Sequence, residues 1–159
     1  MSILIYAEYA EGKFKKAAFE LASYAKKVAE SLGTTVTAVT INAGDVSELS
    51  KYGVDKVLKV NNDELSGFTA KAYADVIKQA AQKENIKLLL LSSTTDSVYL
   101  SSLVAVALEA GYASNVVGLP VSTSPFQVKR TAFSNKAFMI TEINTAVKVL
   151  GLAKNSYGI

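Results

Sequence analysis

The sequence predicts an α/β protein with a three-layer, doubly wound and mainly parallel sheet that ends in a C-terminal antiparallel hairpin. Three observations support this prediction. Apolar, strand-like runs alternate with stretches of helical periodicity as far as Gly111. One of these runs, KLLLLS at 87–92, is apolar on both faces, which is typical of a strand inside a parallel sheet. Beyond Gly111, short strand candidates follow one another with only turns between them, and this spacing favours antiparallel pairing.

The composition indicates one domain. A chain of 159 residues with 50% hydrophobic and 19% charged residues can fill one core of ordinary size. We therefore expect a single domain over 1–159. No apolar run approaches the roughly 18 residues that span a bilayer, so no membrane insertion is expected. The start, MSILIYAEYAEGK, enters an apolar strand without a basic leader, which predicts a cytoplasmic protein.

The elements of the first half follow from periodicity. SILIYAEY, near 2–8, is the first predicted strand, TTVTAVTI at 34–41 the second and KVLKV at 56–60 the third. A turn at NAGD and a short helical stretch connect the last two. The helix after the first strand is stopped by Gly33. Its apolar residues recur at helical spacing, and they are Phe14, Ala17, Ala18, Leu21, Ala25, Val28 and Leu32.

The second half adds two helices and the remaining strands. A helix marked by Ala72, Val76, Ile77 and Ala80 ends near 85 and leads into the fourth strand, KLLLLS. VYLSSLVAVALEAG is the next helix, closed by Gly111. SNVVGLPV at 114–121 is the fifth predicted parallel strand. FQVKRTAF and KAFMITEI form the predicted hairpin around the two residues SN, and AVKVLGL is a further strand candidate.

The missing residue types restrict the chemistry. The chain has no Cys and no His, which excludes disulfides, thiolate nucleophiles, the usual zinc sites and imidazole bases. We predict no catalytic residue and no metal ligand. The net charge of +3 comes from basic residues interleaved with acids, which is typical of a solvated surface and not of a nucleic-acid interface.

Two loops are predicted to face each other where the strand order reverses. They are EYAEGK at 8–13 and SSTTDS at 92–97, beyond the carboxyl ends of their strands. Phosphate cradles need glycines, and none occurs between Phe68 and Ala110. The hydroxyl-rich loop is therefore interpreted as a helix start, with Thr95 or Asp96 as the cap. We predict no cofactor-binding residue in this chain.

Other candidate residues have plain interpretations. Asp63 and Glu64 are expected on the surface and not in a metal pair. Most of seven tyrosines are expected to pack at the core and its edges, and these seven are Tyr6, Tyr9, Tyr24, Tyr52, Tyr73, Tyr99 and Tyr112. Arg130, Lys136 and Phe138 on the hairpin are the predicted partner interface, because its Phe133, Phe138, Met139 and Ile140 are too apolar to stand in water. Arg130 itself fits a partner contact or a solubilising edge charge equally.

Several segments together resemble the N-terminal domain of the alpha subunit of electron transfer flavoproteins. The matching segments are ILIYAEYAEGKF, ELASYAKKVAESLGTTVTAVTI, SELSKYGVDKVLKV, KRTAFSNKAFMITEI and VKVLGLAKNSY. The residues that carry the match are Ala7, Glu8, Gly12, Tyr52, Gly53, Asp55, Lys56, Val57, Arg130, Asn135, Lys136 and Ala137. The chain departs from the family's pattern at YLSSLVAV, where the family usually has an arginine, and at Ala153 and Lys154, where it usually has Arg-Pro.

The resemblance implies an adenine nucleotide alpha hydrolase-like fold and a role in electron transport. In this family a heterodimer of alpha and beta subunits accepts electrons from dehydrogenases through FAD. The FAD lies in a C-terminal domain that this chain lacks, so the chain is either a fragment or a shortened relative. The resemblance further implies that this domain is a scaffold and no enzyme, and we expect that alone it binds neither FAD nor AMP tightly.

Two alternatives come from other classes of protein. A free-standing nucleotide-binding module like the universal stress proteins shares the alternation of strands and helices, but those proteins need a glycine-rich stretch after the fourth strand. A small hydrolase that uses Asp96 and Lys13 across the crevice has only fold-level geometry in its favour.

Overall fold

The computed structural model describes residues 2–132 and 136–159. Its strands and helices, in chain order, are β1 (Ser2–Tyr6), β2 (Tyr9–Ala10), β3 (Lys13–Phe14), α1 (Lys16–Leu32), β4 (Thr35–Ile41), β5 (Lys56–Val60), α2 (Ala70–Lys83), β6 (Leu88–Ser92), α3 (Thr95–Ala107), β7 (Gly111–Val116), β8 (Ser122–Thr123), β9 (Phe126–Ala132), β10 (Ala137–Glu142) and β11 (Lys148–Leu152). Short 3-10 helices at Ser47–Tyr52 and Asp63–Leu65 precede and follow β5 in the sequence.

The predicted fold class is confirmed. The strands of the main sheet run in the order β5-β4-β1-β6-β11-β7-β9-β10, with β8 paired to β9. Every pairing from β5 to β7 is parallel, and the pairings of β9 with β7, β8 and β10 are antiparallel. Strand order reverses between β1 and β6, as in a doubly wound sheet. The hairpin of β9 and β10 extends the sheet at one end.

The helices lie on both faces of the sheet and enclose two apolar cores. One core contains the buried side of α1, including Leu21 and Val28, and the other contains α2 and α3 residues such as Ile77 and Leu100. The run of leucines in β6 supplies both cores, because its side chains alternate across the sheet. Leu88 and Leu90 pack into the α1 core, and Leu89 and Leu91 pack into the α2–α3 core.

Two sequence-based boundaries were wrong, and the place of one strand in the sheet was not predicted. The fifth strand, predicted at 114–121, is β7 at Gly111–Val116, and 117–121 connect it to β8. Helix α3 ends at Ala107 and is not closed by Gly111, because Glu109 already takes a left-handed φ of 52°. Strand β11 lies between β6 and β7 inside the parallel sheet, a position the sequence did not predict. The hairpin turn predicted at Ser134 and Asn135, with Phe133, lies outside the described residues.

Within the described part of the chain, no helix has the length and apolar character needed to cross a membrane.

Candidate functional site

The crevice predicted between the loops after β1 and β6 exists, and a carboxylate of the chain itself occupies it. Glu8 follows β1 and is buried. One of its oxygens accepts hydrogen bonds from the hydroxyls of Thr94 and Ser97 at the start of α3. Its other oxygen is 2.9 Å from the ammonium nitrogen of Lys15. The backbone places Lys15 there, since its N–H donates to the carbonyl of Glu8 at 3.1 Å.

The carboxylate of Glu8 lies at the N-terminus of α3, where it accepts hydrogen bonds from the hydroxyls of Thr94 and Ser97. A helix N-terminus favours negative charge because its first N–H groups and its dipole point outward. Burial, the largest single effect, would raise the pKa of the Glu8 carboxyl. The hydrogen bonds from Ser97, Thr94 and Lys15 together outweigh it and hold the pKa below its usual value. The same contact with Glu8 raises the pKa of Lys15. The crevice therefore holds a charged pair.

The hydroxyls of the loop are used within the protein. Ser92 donates to the carbonyl of Ala17 at 3.4 Å, and Ser93 donates to the carbonyl of Leu152 at 2.8 Å. Thr94, with an extended backbone, is the N-cap of α3 and accepts from the N–H of Ser97 at 3.3 Å. The predicted caps, Thr95 and Asp96, were wrong because both residues already lie in the first turn. The loop begins a helix, as the sequence predicted, and its hydroxyls also close the crevice.

The residues at this crevice do not fit FAD. A diphosphate at the N-terminus of α3 would meet the carboxylate of Glu8, and the cation nearest to it, Lys15, is already paired. The neighbouring depression of about 640 Å³ beyond β1, β4 and β5 is lined by Glu11 and Asp63 and by no lysine or arginine. The crevice thus offers only a cation that is already paired, and the depression beside it presents negative charge, whereas a diphosphate requires free positive charge.

Two buried acidic residues that the sequence did not predict, Glu8 and Glu20, connect separate segments of the chain. The sequence identified Glu8 only through the family resemblance. A carboxylate directly after one buried strand and hydroxyls directly after a neighbouring strand could have indicated the contact. Lys13, predicted to face the crevice, lines a separate depression with Asp45 and Glu48.

Glu20 of α1 is buried and accepts hydrogen bonds from backbone N–H groups of 155, 157 and 158.

The hairpin residues predicted to form an interface differ in their surroundings. Arg130 is half-buried, and its guanidinium donates to the carbonyl and the hydroxyl of Ser114 at 2.9 and 3.1 Å. Arg130 therefore joins β9 to β7. Lys136 is exposed at the start of β10. Phe138 is 61% exposed, with the ammonium nitrogen of Lys129 4.2 Å from its ring centroid. The exposed apolar side chains of this edge are Phe138, Met139 and Ile140.

The remaining predicted candidates are mostly structural. Asp63 and Glu64 are exposed in a short 3-10 helix. No three His, Cys, Asp or Glu side chains among residues 2–132 and 136–159 lie where they could hold a metal ion. Tyr6 and Tyr24 pack in the core as expected, but Tyr99 is 66% exposed on α3 and does not. The helical spacing of Tyr99 predicted a core position, because α3 has no charged residue after Asp96 that would mark its outer side.

Comparison with known proteins gives one family. The profile described as "Electron transfer flavoprotein domain" matches residues 3–159. The chain is 32% identical over 123 residues to the electron transfer flavoprotein subunit alpha of Thermoanaerobacterium thermosaccharolyticum, which covers 75% of this chain and 37% of that protein. It is 30% identical over 122 residues to the subunit alpha of Clostridium acetobutylicum, covering 75% and 36%.

A third relative is named as part of an enzyme. The chain is 27% identical over 148 residues to the lactate dehydrogenase (NAD(+),ferredoxin) subunit LctC of Acetobacterium woodii, covering 90% of this chain and 35% of that protein. The chain thus spans little more than a third of the length of these relatives.

Proposed function

Because the chain belongs to the electron transfer flavoprotein domain family, we propose that it is the N-terminal scaffold domain of an alpha subunit that works with a beta subunit. In this proposal the complex carries electrons from dehydrogenases through FAD in the cytoplasm. This domain itself holds no cofactor and no catalytic residue. The names of several relatives support the first part, since they are electron transfer flavoprotein alpha subunits. Another relative is the electron transfer subunit beta of an acryloyl-CoA reductase, which supports a role in electron transfer.

The burial of Glu8 is the observation that carries the scaffold role. A buried carboxylate, bonded to Thr94 and Ser97 and paired with Lys15, stands where a nucleotide-binding copy of such a fold would receive phosphate. To bind a diphosphate the chain would have to break these contacts and bring like charges together, which costs several kcal/mol. The same observation disfavours the alternative of a universal stress protein-like nucleotide module.

The hairpin supplies the proposed contact with the beta subunit. Phe138 and Ile140 are exposed on the outermost strand of the sheet, where β10 has a partner strand on one side. We include Arg130 and Lys136 in this interface with different roles. Arg130 orients β9 through Ser114, and exposed Lys136 offers a charge to the partner.

A nucleotide titration tests the scaffold role. We expect the purified chain to be colourless and to bind neither FAD nor AMP tighter than about 10 μM, which is roughly 7 kcal/mol. Calorimetry and flavin fluorescence measure both ligands. The positive control is a full-length relative, the electron transfer flavoprotein subunit alpha of Clostridium acetobutylicum together with its beta subunit, which should carry FAD. A one-to-one complex of FAD or AMP with the isolated chain below that limit would contradict the proposal and favour the nucleotide-binding module.

A further inference from the structure

The outer side of α3 is apolar and exposed. The helix has no charged residue between Asp96 and Glu109. Its inner side chains, among them Leu100 and Val104, are fully buried in the core. Its outer side exposes Val98, Tyr99, Leu103 and Val106, with Val106 80% exposed, and one hydroxyl side chain among them, Ser102. A helix that is hydrophobic all round is normally buried all round. The outer side of α3 therefore has the character of a covered surface.

A groove runs between this side of α3 and α2. It encloses about 530 Å³, and Leu103 and Ala107 form its α3 wall. Small residues of α2, Ala72 and Ala74, line the other wall and leave room for an incoming side chain. We call this surface the α2–α3 groove, and it comprises Thr69, residues 70–78 of α2 and the outer side chains of α3.

The rim of the α2–α3 groove carries unneutralised positive charge. Lys71 and Lys78 line it, and neither forms an ion pair within the part of the chain that the structure describes. The one carboxylate on the same rim, Asp75, accepts a hydrogen bond from Gln79 at 2.8 Å. An occupant that places carboxylates beside these two lysines would be favoured by charge complementarity.

We propose that the α2–α3 groove binds an amphipathic helix of a partner protein, with an apolar stripe flanked by aspartate or glutamate. Tyr99, Leu103 and Val106 are spaced i, i+4 and i+7, so they form a stripe about two turns long that matches the stripe of a second helix. The acidic flank pairs with Lys71 and Lys78. This surface is separate from the hairpin and goes beyond the contact proposed for the beta subunit.

A second copy of this chain fits the groove less well than an acidic helix. In a twofold contact, the outer side of α3 of one copy would face the groove of the other. Residues 97–108 of that helix contain no carboxylate to meet Lys71 and Lys78. The lysines of both copies would then be drawn from water without partners, which disfavours the contact.

Two designed peptides test the chemistry of the groove. Both are amphipathic helices with leucines at i, i+4 and i+7. One has flanking glutamates and the other has lysines at the same positions. Fluorescence anisotropy with the purified chain should show the glutamate peptide binding at least about tenfold tighter than the lysine peptide. Lys71→Glu combined with Lys78→Glu should reverse this preference, because the apolar floor is unchanged and the rim charge is inverted.

The variant Leu103→Asp should abolish binding of the glutamate peptide. Its matched control is Leu32→Asp on α1, because the two leucines are 43% and 42% exposed and lie on different helices. Thermal unfolding checks that each variant is folded, and Val106→Asp replaces Leu103→Asp if the latter is not.

Four outcomes would overturn the proposal. They are no binding of either peptide, equal binding of both, binding that survives Leu103→Asp or Val106→Asp, and self-association of the wild-type chain that Leu103→Asp abolishes. The last would assign the groove to a second copy. None of these outcomes bears on the nucleotide titration, so the two proposals fail independently.

Discussion

At the scale of single residues, Glu8 explains why the hydroxyl-rich loop after β6 does not offer its donors to a ligand. Hydroxyl groups of this loop donate to a carboxylate of the same chain. The hydroxyls of Thr94 and Ser97 both donate to one carboxylate oxygen, and Lys15 contacts the other. A buried carboxylate costs free energy unless it is hydrogen-bonded and paired, and here both conditions are met. The residue joins the end of β1 to the start of α3.

The stability contributed by Glu8 should depend on pH. Because folding lowers the pKa of this carboxyl, its contribution is complete above the usual value of 4.5 and is lost as the pH falls below it. Glu8→Gln removes the charge and keeps the shape. At pH 7 we expect the variant to be less stable than wild type by about 1–3 kcal/mol. Urea unfolding between pH 7 and pH 3 should show this difference shrinking below 4.5, and a difference that stays constant would contradict the assignment.

Glu20 should hold the residues after β11 against α1. Its carboxylate accepts backbone hydrogen bonds at 3.0, 3.1 and 2.8 Å from 155, 157 and 158. Glu20→Ala leaves these N–H groups unpaired, so amide hydrogen exchange over 155–158 should accelerate and the free energy of unfolding should fall by about 1–3 kcal/mol. Glu30→Ala is the control, since Glu30 on the same helix forms only an exposed pair with Lys27 and should change stability little. Unchanged exchange in Glu20→Ala would rule out the clamp.

Part of the candidate site could be predicted from single residues and part could not. The absence of glycine in the loop after β6 correctly indicated a helix start, because backbone conformation is a local property. The identity of the cap shifted by one position, since Thr94, Thr95 and Asp96 are all good caps. The pairing of Glu8 with Thr94 joins residues 86 positions apart, and no local pattern specifies such a contact.

At the scale of elements, periodicity predicted which segments form strands and helices, and packing decided their order. The leucines of β6 indicated a strand buried on both faces, and both cores confirm it. The position of β11 between β6 and β7 depends on a crossover past the whole hairpin. The position of β11 in the sheet is set by tertiary packing, because its own sequence has the pattern of any apolar strand.

Gly111 marks the close approach of β7 to the segment after β10. A Cβ built at Gly111 would lie 2.7 Å from the Cγ2 of Ile143 and 3.0 Å from the Oγ1 of Thr145. Gly111→Ala should therefore destabilise the protein by about 1–3 kcal/mol through overpacking. Gly67→Ala is the matched control, because nothing lies within 4 Å of a Cβ there and its φ is not left-handed. Chemical denaturation measures the free energy of unfolding of both variants. Equal values would contradict the prediction and show that the segment after β10 shifts to accommodate the added methyl group.

At the scale of the whole molecule, exposed apolar surface is concentrated on two elements, β10 and α3. The sequence predicted the first, because Phe138, Met139 and Ile140 are too apolar for a free edge. It did not predict the second. The exposure of Val106 depends on which side of α3 the sheet covers, and a helix with no polar side gives no local sign of that.

The hairpin should be required for binding the beta subunit, and Ile140 tests this most directly. Its side chain is 53% exposed on β10, the strand at the end of the sheet, whereas Arg130 is tied to Ser114 and Phe138 lies under Lys129. An aspartate at 140 would bury a charge without a partner in the complex while leaving the free chain folded. Loss of a central apolar contact typically costs about 2 kcal/mol or more, which is roughly a thirtyfold loss of affinity.

The experiment compares three variants with the wild-type chain in calorimetric titrations with the beta subunit of the same organism. Ile140→Asp should bind at least about thirtyfold more weakly than wild type. Leu32→Asp, which places the same charge at the end of α1, should bind like wild type because α1 packs mainly on β1, β4 and β6 and not on β10. Arg130→Ala should lower the thermal stability more than it lowers the affinity, since the guanidinium of Arg130 donates to Ser114 of the same chain. If Ile140→Asp binds as tightly as Leu32→Asp, the partner docks elsewhere and the apolar edge of β10 has another occupant.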